Sequence, residues 1–110
     1  MKKFLLVGLV LALTCGAAYG ADPVKVGLMA PLTGSWASEG QEMKQVVALL
    51  AEELNAKGGV LGQKVEVITE DDGGDPKTAA LAAQRLATRG VVAVVGTYGS
   101  SVSEAAQNIY

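Results

Sequence analysis

The fold of this chain is most constrained by the stretch from residue 91 to residue 104. Five apolar residues, Val91 to Val95, end at Gly96 and are followed by Thr97-Tyr98-Gly99-Ser100-Ser101. A short apolar run that stops at glycine is typical of a buried strand in a parallel sheet. Ser101 and Glu104 form a capping box, which predicts that a helix begins there. The stretch therefore predicts a strand that leads through a hydroxyl-rich loop into a helix N-terminus.

Strand and helix patterns alternate along residues 21–110, which predicts an α/β fold: a three-layer parallel sheet with helices on both faces. The predicted strands are Val24 to Ala30, Lys64 to Glu70 at an edge, and Val91 to Val95. Right-handed crossovers place them in the spatial order 2-1-3. The loops after strands one and three then share one edge of the sheet, which brings Thr33 to Ser38 close to Tyr98 to Ser101.

Two further helices are predicted from their caps. Ser38 and Gln41 form a capping box for the first, in which Met43, Val47, Leu50 and Leu54 recur at helical spacing before a left-handed cap at Gly58-Gly59. Asp75 and Pro76 begin the second, which extends to about Arg89. Its apolar face contains Ala79, Ala83 and Leu86, which are small enough to lie close against the sheet.

Residues 1–20 have the pattern of a secretory signal peptide, with Lys2 and Lys3, an apolar core from Phe4 to Leu13, and small residues up to an expected cleavage after Gly20. The protein is therefore expected to be secreted. Lipid attachment at Cys15 is a weaker alternative, because no small residue directly precedes it. Cleavage leaves seven basic and eleven acidic residues, and this net charge of −4 argues against a nucleic-acid partner.

The residue types exclude several kinds of catalysis. The sequence has no histidine, and its single cysteine lies in the signal peptide, so Ser-His and Cys-His catalysis and histidine-ligated zinc are excluded. Neither GxGxxG nor a Walker lysine is present. An enzyme, a cofactor and a metal site are therefore not expected. The acidic cluster formed by Glu70, Asp71, Asp72 and Asp75 could bind calcium or act as a phospho-acceptor, but a structural role is favoured. In that role Asp75 caps a helix, and Asp71 and Asp72 are solvated in a loop.

The predicted helix start at Ser100 and Ser101 is a candidate anion site. Unpaired N–H groups and the positive end of the helix dipole favour a carboxylate or phosphate there, and ligands of open α/β sheets bind beyond the carboxyl ends of strands. The alternative is that the two serines only cap the helix. Trp36, in the neighbouring loop, is either a ligand contact or a hydrophobic lid over the helix start.

Several segments resemble the start of the periplasmic branched-chain amino-acid-binding proteins. They are residues 24–34 (VKVGLMAPLTG), 55–62 (NAKGGVLG), 71–77 (DDGGDPK) and the closing Gly99-Ser100-Ser101. The resemblance implies a type I periplasmic binding fold, in which two α/β lobes close on a ligand and deliver it to an inner-membrane ABC permease. Residues 21–110 would be the N-terminal, incomplete part of the first lobe. The resemblance also implies that Ser100 binds the ligand α-carboxylate and that the carbonyl of Tyr98 helps to hold the ammonium group.

Two departures from that family are evident. Its best-known members carry two disulfide-bonded cysteines where this chain has Gly74 and Gly99, so a covalent link between two loops is missing here. The aromatic residue that the family places near the ligand falls on Glu39, and Trp36 stands three residues earlier. The selectivity for the ligand side chain is therefore expected to differ.

These observations predict a monomeric, non-enzymatic receptor of an ABC importer that binds an amino acid, branched-chain or related. The predicted ligand-binding residues are Ser100, Tyr98, Gly99, Ser101 and Trp36. Two alternatives come from other classes: the ligand-binding domain of a sensory receptor, and a small secreted hydrolase or phospho-acceptor domain, which the lack of histidine and cysteine disfavours. Residues 21–110 alone are expected to bind weakly, because closure of a second lobe supplies much of the ligand burial.

Overall fold

The computed structural model describes residues 21–110, so the predicted signal peptide and Cys15 lie outside the described residues. Strands and helices alternate in the order β1 (Val24–Ala30), α1 (Ala37–Ala56), β2 (Val65–Asp71), α2 (Pro76–Thr88), β3 (Ala93–Val95) and α3 (Ser100–Gln107). The three strands are parallel and lie in the order β2-β1-β3. The predicted α/β fold and the strand order 2-1-3 are confirmed.

The helices cover both faces of β1, the central strand. Helix α1 packs against β1 and β2, whereas α2 packs against β1, β2 and α3, and no contact joins α1 to α2 or α3 among the elements described. Leu28, Met29 and Ala30 are buried at the end of β1. A central parallel strand needs apolar side chains on both faces because helices exclude water from both.

The core lies between the sheet, α2 and α3. It consists of small and medium-sized apolar residues: Met29, Ala79, Ala82, Ala83, Leu86, Val102 and Ala106. A methyl group placed on Gly27 would lie 3.2 Å from both terminal carbons of Leu86. The alanines and Gly27 thus allow α2 to lie close to the sheet, as its sequence predicted.

The predictions that Ser38 and Ser101 cap helices are both wrong. Helix α1 begins at Ala37 after an N-cap at Trp36, and the hydroxyl of Ser38 donates to the carboxylate of Glu39. Helix α3 begins at Ser100 after an N-cap at Gly99, and no side chain caps it. Each helix starts one or more residues earlier than predicted, so the expected cap serine lies inside the first turn, where its side chain cannot reach the orphan N–H groups.

The other predicted helix ends are confirmed. The carboxylate of Asp75 accepts hydrogen bonds of 3.0 Å from the N–H groups of Lys77 and Thr78, and Pro76 occupies the first helical position. Gly58 and Gly59, with φ of 101° and 76°, follow α1. Positive φ is accessible to glycine without a steric penalty, which explains their place after a helix end.

Two apolar surfaces are more exposed than the sequence predicted. Leu50 and Leu54 of α1 are exposed together with Val46 and Leu49. Strand β3 has three residues instead of five, and Val95 at its end and Val92 just before it are exposed. Within residues 21–110, no element covers the outer edge of β3 or this side of α1. None of the helices in this part of the chain is both long and apolar enough to cross a membrane.

Gly40 of α1 allows a close backbone approach, and its replacement gives a test of the fold. A methyl group there would lie 2.0 Å from the carbonyl oxygen of Pro31. Glycine to alanine in a helix normally stabilises by about 1 kcal/mol. Here we expect Gly40→Ala to destabilise the protein by about 2 kcal/mol, because α1 must move away from the end of β1. Urea unfolding followed by circular dichroism measures the change, and a gain in stability would contradict this contact.

Candidate functional site

Three loops meet at the carboxyl edge of the sheet. Loop 1 (residues 31–36), loop 2 (residues 72–75) and loop 3 (residues 96–99) each connect a strand to the helix that follows it. Because the strands are parallel, all three loops emerge at one edge. The rings of Trp36 in loop 1 and Tyr98 in loop 3 meet edge to face, with centroids 5.4 Å apart. The predicted proximity of loops 1 and 3 is confirmed.

Asp71, at the end of β2, links loop 1 to loop 2. Its carboxylate accepts hydrogen bonds from the N–H of Leu32 at 2.8 Å, the hydroxyl of Thr33 at 2.7 Å and the N–H of Gly73 at 2.8 Å. Partial burial raises the pKa of this carboxyl, but the hydrogen bonds from Thr33, Gly73 and Leu32 outweigh burial and hold the pKa below its ordinary value of 3.8. Asp71 is therefore a structural carboxylate whose oxygens are already occupied. The prediction that it is solvated in the loop is wrong, because it is the last residue of β2 and is bound by both loops.

Asp72 links loop 2 to loop 3 from inside the protein. Its side chain is completely buried. One carboxylate oxygen accepts a 2.8 Å hydrogen bond from the N–H of Gly74, and the other accepts from the hydroxyl of Thr97. The prediction that Asp72 is solvated is wrong, because the loop turns it inward beneath loop 3. The sequence signal for this contact is Thr97, the hydroxyl residue directly after Gly96, which the loop pattern placed only at the ligand edge.

The remaining acidic residues of this cluster also have structural partners. Glu70 is mostly buried and forms ion pairs with Arg85 at 2.7 Å and Arg89 at 3.2 Å, which join β2 to the end of α2. In the part of the chain that the structure describes, no three acidic side chains come close enough to hold a metal ion. The four carboxylates of the cluster therefore serve to hold the loops and helices together.

The residues predicted to bind the ligand lie side by side in loop 3 and the first turn of α3. Gly99 is the N-cap residue with φ of 99°, and Ser100 and Ser101 are the first two residues of the helix, both exposed. Tyr98, which is 42% exposed, precedes them. The first N–H groups of a helix have no intrahelical partner, so this turn presents N–H groups and two hydroxyls at the positive end of a dipole. Such a set can bind a carboxylate.

Trp36 lies behind this turn and packs against the protein core. A methyl group placed on Gly74 would lie 2.9 Å from its Cε3 atom, and one placed on Gly99 would lie 3.0 Å from its Cζ3 atom. The ring is partly buried, and from its place in loop 1 it contacts loops 2 and 3. The structure thus brings Trp36 together with Tyr98 and Gly99 as the sequence predicted.

A groove with a volume of about 670 Å³ lies beside this turn, on the β3 side of the sheet. It runs along the free edge of β3 and the sides of α2 and α3, and its walls include Met29, Val94, Ala106 and Ile109. It contains no charged side chain. An uncharged, mainly apolar groove beside an unpaired strand suits the packing of further polypeptide better than the binding of a small anion.

The hydrogen bonds of Asp71 predict an acid-sensitive stability. Its folded-state pKa is depressed, so its contribution is fully present above the unfolded-state pKa and is lost as the pH falls through the folded-state value. We expect the urea midpoint to fall as the pH decreases below about 4. Asp71→Asn should lower the urea midpoint at neutral pH and reduce its further fall at acidic pH. Asp22→Asn, at an exposed position, should leave the midpoint and its pH dependence unchanged. A fall at acidic pH that is identical in Asp71→Asn would contradict the role of Asp71.

Comparisons with known proteins agree with this arrangement. The profile of a family described as periplasmic binding protein matches residues 23–110. The chain is 38% identical over 112 residues to the Leu/Ile/Val-binding protein homolog 2 of Brucella abortus, an alignment that covers all of this chain and 30% of that protein. It therefore spans less than a third of that relative's length.

Solved structures give the same fold. The branched-chain amino acid transporter substrate binding protein LivJ from Streptococcus pneumoniae, solved with isoleucine, matches with a TM-score of 0.75 and 32% identity over 79% of this chain and 25% of that one. A fatty acid ABC transporter substrate-binding protein from Thermomonospora curvata matches with a TM-score of 0.74 and 32% identity over 79% of this chain and 22% of that one.

Proposed function

The chain belongs to the periplasmic binding protein family, and from this premise we propose that it is the start of an ABC importer's substrate-binding protein, which takes branched-chain or related amino acids. The family and the relatives are binding proteins, which agrees with the expectation that the chain is not an enzyme. A periplasmic location, reached through the signal peptide, and delivery to an inner-membrane permease are parts of this proposal.

The observation that carries the proposal is the placement of Ser100 at the open N-terminus of α3. The serine is exposed at the sheet edge where parallel strands end. The N–H groups of this turn would donate hydrogen bonds to a ligand α-carboxylate, with the hydroxyl of Ser100 as a further donor. The carbonyl of Tyr98 would accept a hydrogen bond from the ligand ammonium group. Gly99, which lies between these residues, and Ser101 complete the backbone around the two charged groups.

We further propose that residues 21–110 are only part of the first ligand-binding lobe. An apolar groove lies along the free edge of β3, and the large apolar side chains of α1 are uncovered on its outer side. Both surfaces are of the kind that another strand or helix covers in an α/β lobe. Sequencing the gene beyond the codon for Tyr110 tests this. An open frame with further strand and helix patterns supports it, and a stop codon at that point contradicts it.

Calorimetry on the complete gene product tests the function. We expect L-isoleucine and L-leucine to bind, and Ser100→Ala to weaken binding by about 10- to 100-fold, because a hydrogen bond to a charged group contributes about 1.5 to 3 kcal/mol. Ser38→Ala removes an exposed serine that bonds only to Glu39, and it should leave the affinity unchanged. Unchanged affinity in Ser100→Ala would contradict the assigned carboxylate site.

A fatty acid is the second candidate cargo, because one of the matched structures is a fatty acid transporter's binding protein. Comparing the binding of leucine, isocaproate and isoamylamine distinguishes an amino-acid receptor from a fatty acid receptor. Isocaproate has the carboxylate without the ammonium group, and isoamylamine has the reverse. An amino-acid receptor should bind leucine much more tightly than either analogue, because it recognises both charged groups. Binding of isocaproate as tightly as leucine would instead favour the fatty acid.

A further inference from the structure

The ring of Trp36 joins loops 2 and 3 through one edge. Its neighbouring atoms Cε3 and Cζ3 lie where methyl groups on Gly74 and Gly99 would be 2.9 Å and 3.0 Å away. A side chain on Gly74 would require the ring to move, because real Cβ atoms do not approach this closely, and one on Gly99 would form an unusually tight contact that the ring must relieve by a small shift. Tyr98 packs against the same ring from loop 3. One side chain thus sets the distance between loops 2 and 3.

We propose that Trp36 is a positioning residue of the ligand-binding turn, which holds residues 98–101 in place without contacting the ligand. This inference rests on the proposed function. Asp72 fixes loop 3 at Thr97 through a hydrogen bond, three residues before Ser100. The contact between Trp36 and Gly99 fixes the residue that directly precedes Ser100.

The residues that face each other across loops 2 and 3 explain why such a contact is needed. Residues 21–110 contain no cysteine, so no disulfide can join these loops within that part of the chain. Gly74 and Gly99 both have positive φ, 68° and 99°, and glycines order a loop poorly by themselves. Packing against a partly buried aromatic ring supplies this order. A small shift of Gly99 would carry the N–H and hydroxyl of Ser100 with it and weaken hydrogen bonds that depend steeply on distance and angle.

A positioning role predicts a particular pattern of affinities. The turn binds the carboxylate and ammonium groups, which all amino acids share. Loss of the ring should therefore weaken the binding of leucine, valine and alanine by the same factor. A ring that contacted the ligand side chain would instead affect leucine far more than alanine, because apolar contact energy scales with buried area.

The test uses the complete gene product and calorimetry with L-leucine, L-valine and L-alanine. We expect Trp36→Ala to weaken all three by about tenfold, because displacement of binding groups by a fraction of an ångström reduces affinity strongly. Trp36→Phe, which keeps an aromatic ring between the loops, should restore most of this loss. A loss confined to leucine, or affinities within twofold of wild type in folded Trp36→Ala, would overturn the proposal.

A matched pair of glycine variants tests the contact without removing the ring. Gly74 and Gly90 have similar φ of 68° and 74°, but a methyl group on Gly90 meets no atom within 4 Å. Both alanine variants carry the same backbone strain, and only Gly74→Ala pushes against Trp36. Trp36 is the only tryptophan in these 110 residues, and any tryptophan outside them is common to both variants, so the difference in emission between the two variants reports the displacement of its ring. We expect a red-shifted emission and weaker amino-acid binding in Gly74→Ala and neither change in Gly90→Ala.

The outcomes distinguish this inference from the function on which it rests. A wild-type protein that binds none of the three amino acids overturns the proposed function and the inference together. A wild-type protein that binds them, with Gly74→Ala indistinguishable from Gly90→Ala in emission and affinity, overturns only the role of Trp36. If Trp36→Ala does not fold, Trp36→Phe and the glycine pair decide the question.

Discussion

Leu86→Ala is expected to lower the free energy of unfolding by about 2 to 5 kcal/mol, the range for a leucine whose removal leaves a cavity in a packed core. Leu86 is completely buried. Its two terminal carbons lie against the place where Gly27 has no side chain, so the backbone of the central strand cannot easily fill the space. Urea unfolding followed by circular dichroism measures the loss.

The same helix provides the control. Leu81 of α2 is 55% exposed, and Leu81→Ala removes the same number of carbon atoms with little cavity, so its cost should stay below about 1 kcal/mol. Helix propensity changes equally in both variants and cancels in the comparison. Equal losses in the two variants would show that α2 does not pack on the sheet through Leu86.

Asp72→Leu is expected to destabilise the protein by about 3 kcal/mol or more. The substitution removes the acceptor for the N–H of Gly74 and for the hydroxyl of Thr97, and each hydrogen bond to a charged group contributes about 1.5 to 3 kcal/mol. Because the site is completely buried, water cannot replace the lost acceptor. Asp22→Leu, at an exposed position, is the control for loss of an aspartate charge.

A double-mutant cycle separates the Thr97 contact from the rest of this effect. If the two side chains are coupled as the structure shows, Thr97→Val in the Asp72→Leu background should cost less than Thr97→Val alone, by about 1 kcal/mol or more. Additive losses would contradict the hydrogen bond. Asp72→Asn, which keeps the shape and one acceptor, should fall between wild type and Asp72→Leu.

The buried position of Asp72 also affects the proposed ligand-binding turn. Thr97 precedes the turn at residues 98–101 by one residue, and the hydrogen bond to Asp72 anchors it to loop 2. Asp72 and Trp36 therefore hold loop 3 at two points, Thr97 and Gly99. In a receptor whose ligand is bound by backbone groups, such supports decide whether the donors lie at hydrogen-bonding distance.

Much of the architecture followed from local rules. The alternation of apolar runs with caps and glycines predicted three strands and three helices, and right-handed crossovers predicted the order β2-β1-β3. The Asp75-Pro76 start and the Gly58-Gly59 end were also predictable, because proline and positive-φ glycine act on the backbone directly. The same order placed Trp36 beside Tyr98, since parallel strands bring their following loops to one edge.

The tertiary structure decided what local patterns could not. A serine followed by glutamate or glutamine fits a cap by spacing alone, yet packing makes α1 and α3 start earlier at Ala37 and Ser100. The local sequence predicts that Asp72 is a solvated loop residue, but the strand order brings Thr97 close enough to donate a hydrogen bond to it. The contacts of Trp36 with Gly74 and Gly99 join positions 38 and 63 residues distant along the chain. The strand order predicted that loops 1 and 3 meet, but it did not predict that the ring of Trp36 also reaches Gly74 in loop 2, because that contact exists only once all three loops meet at one edge.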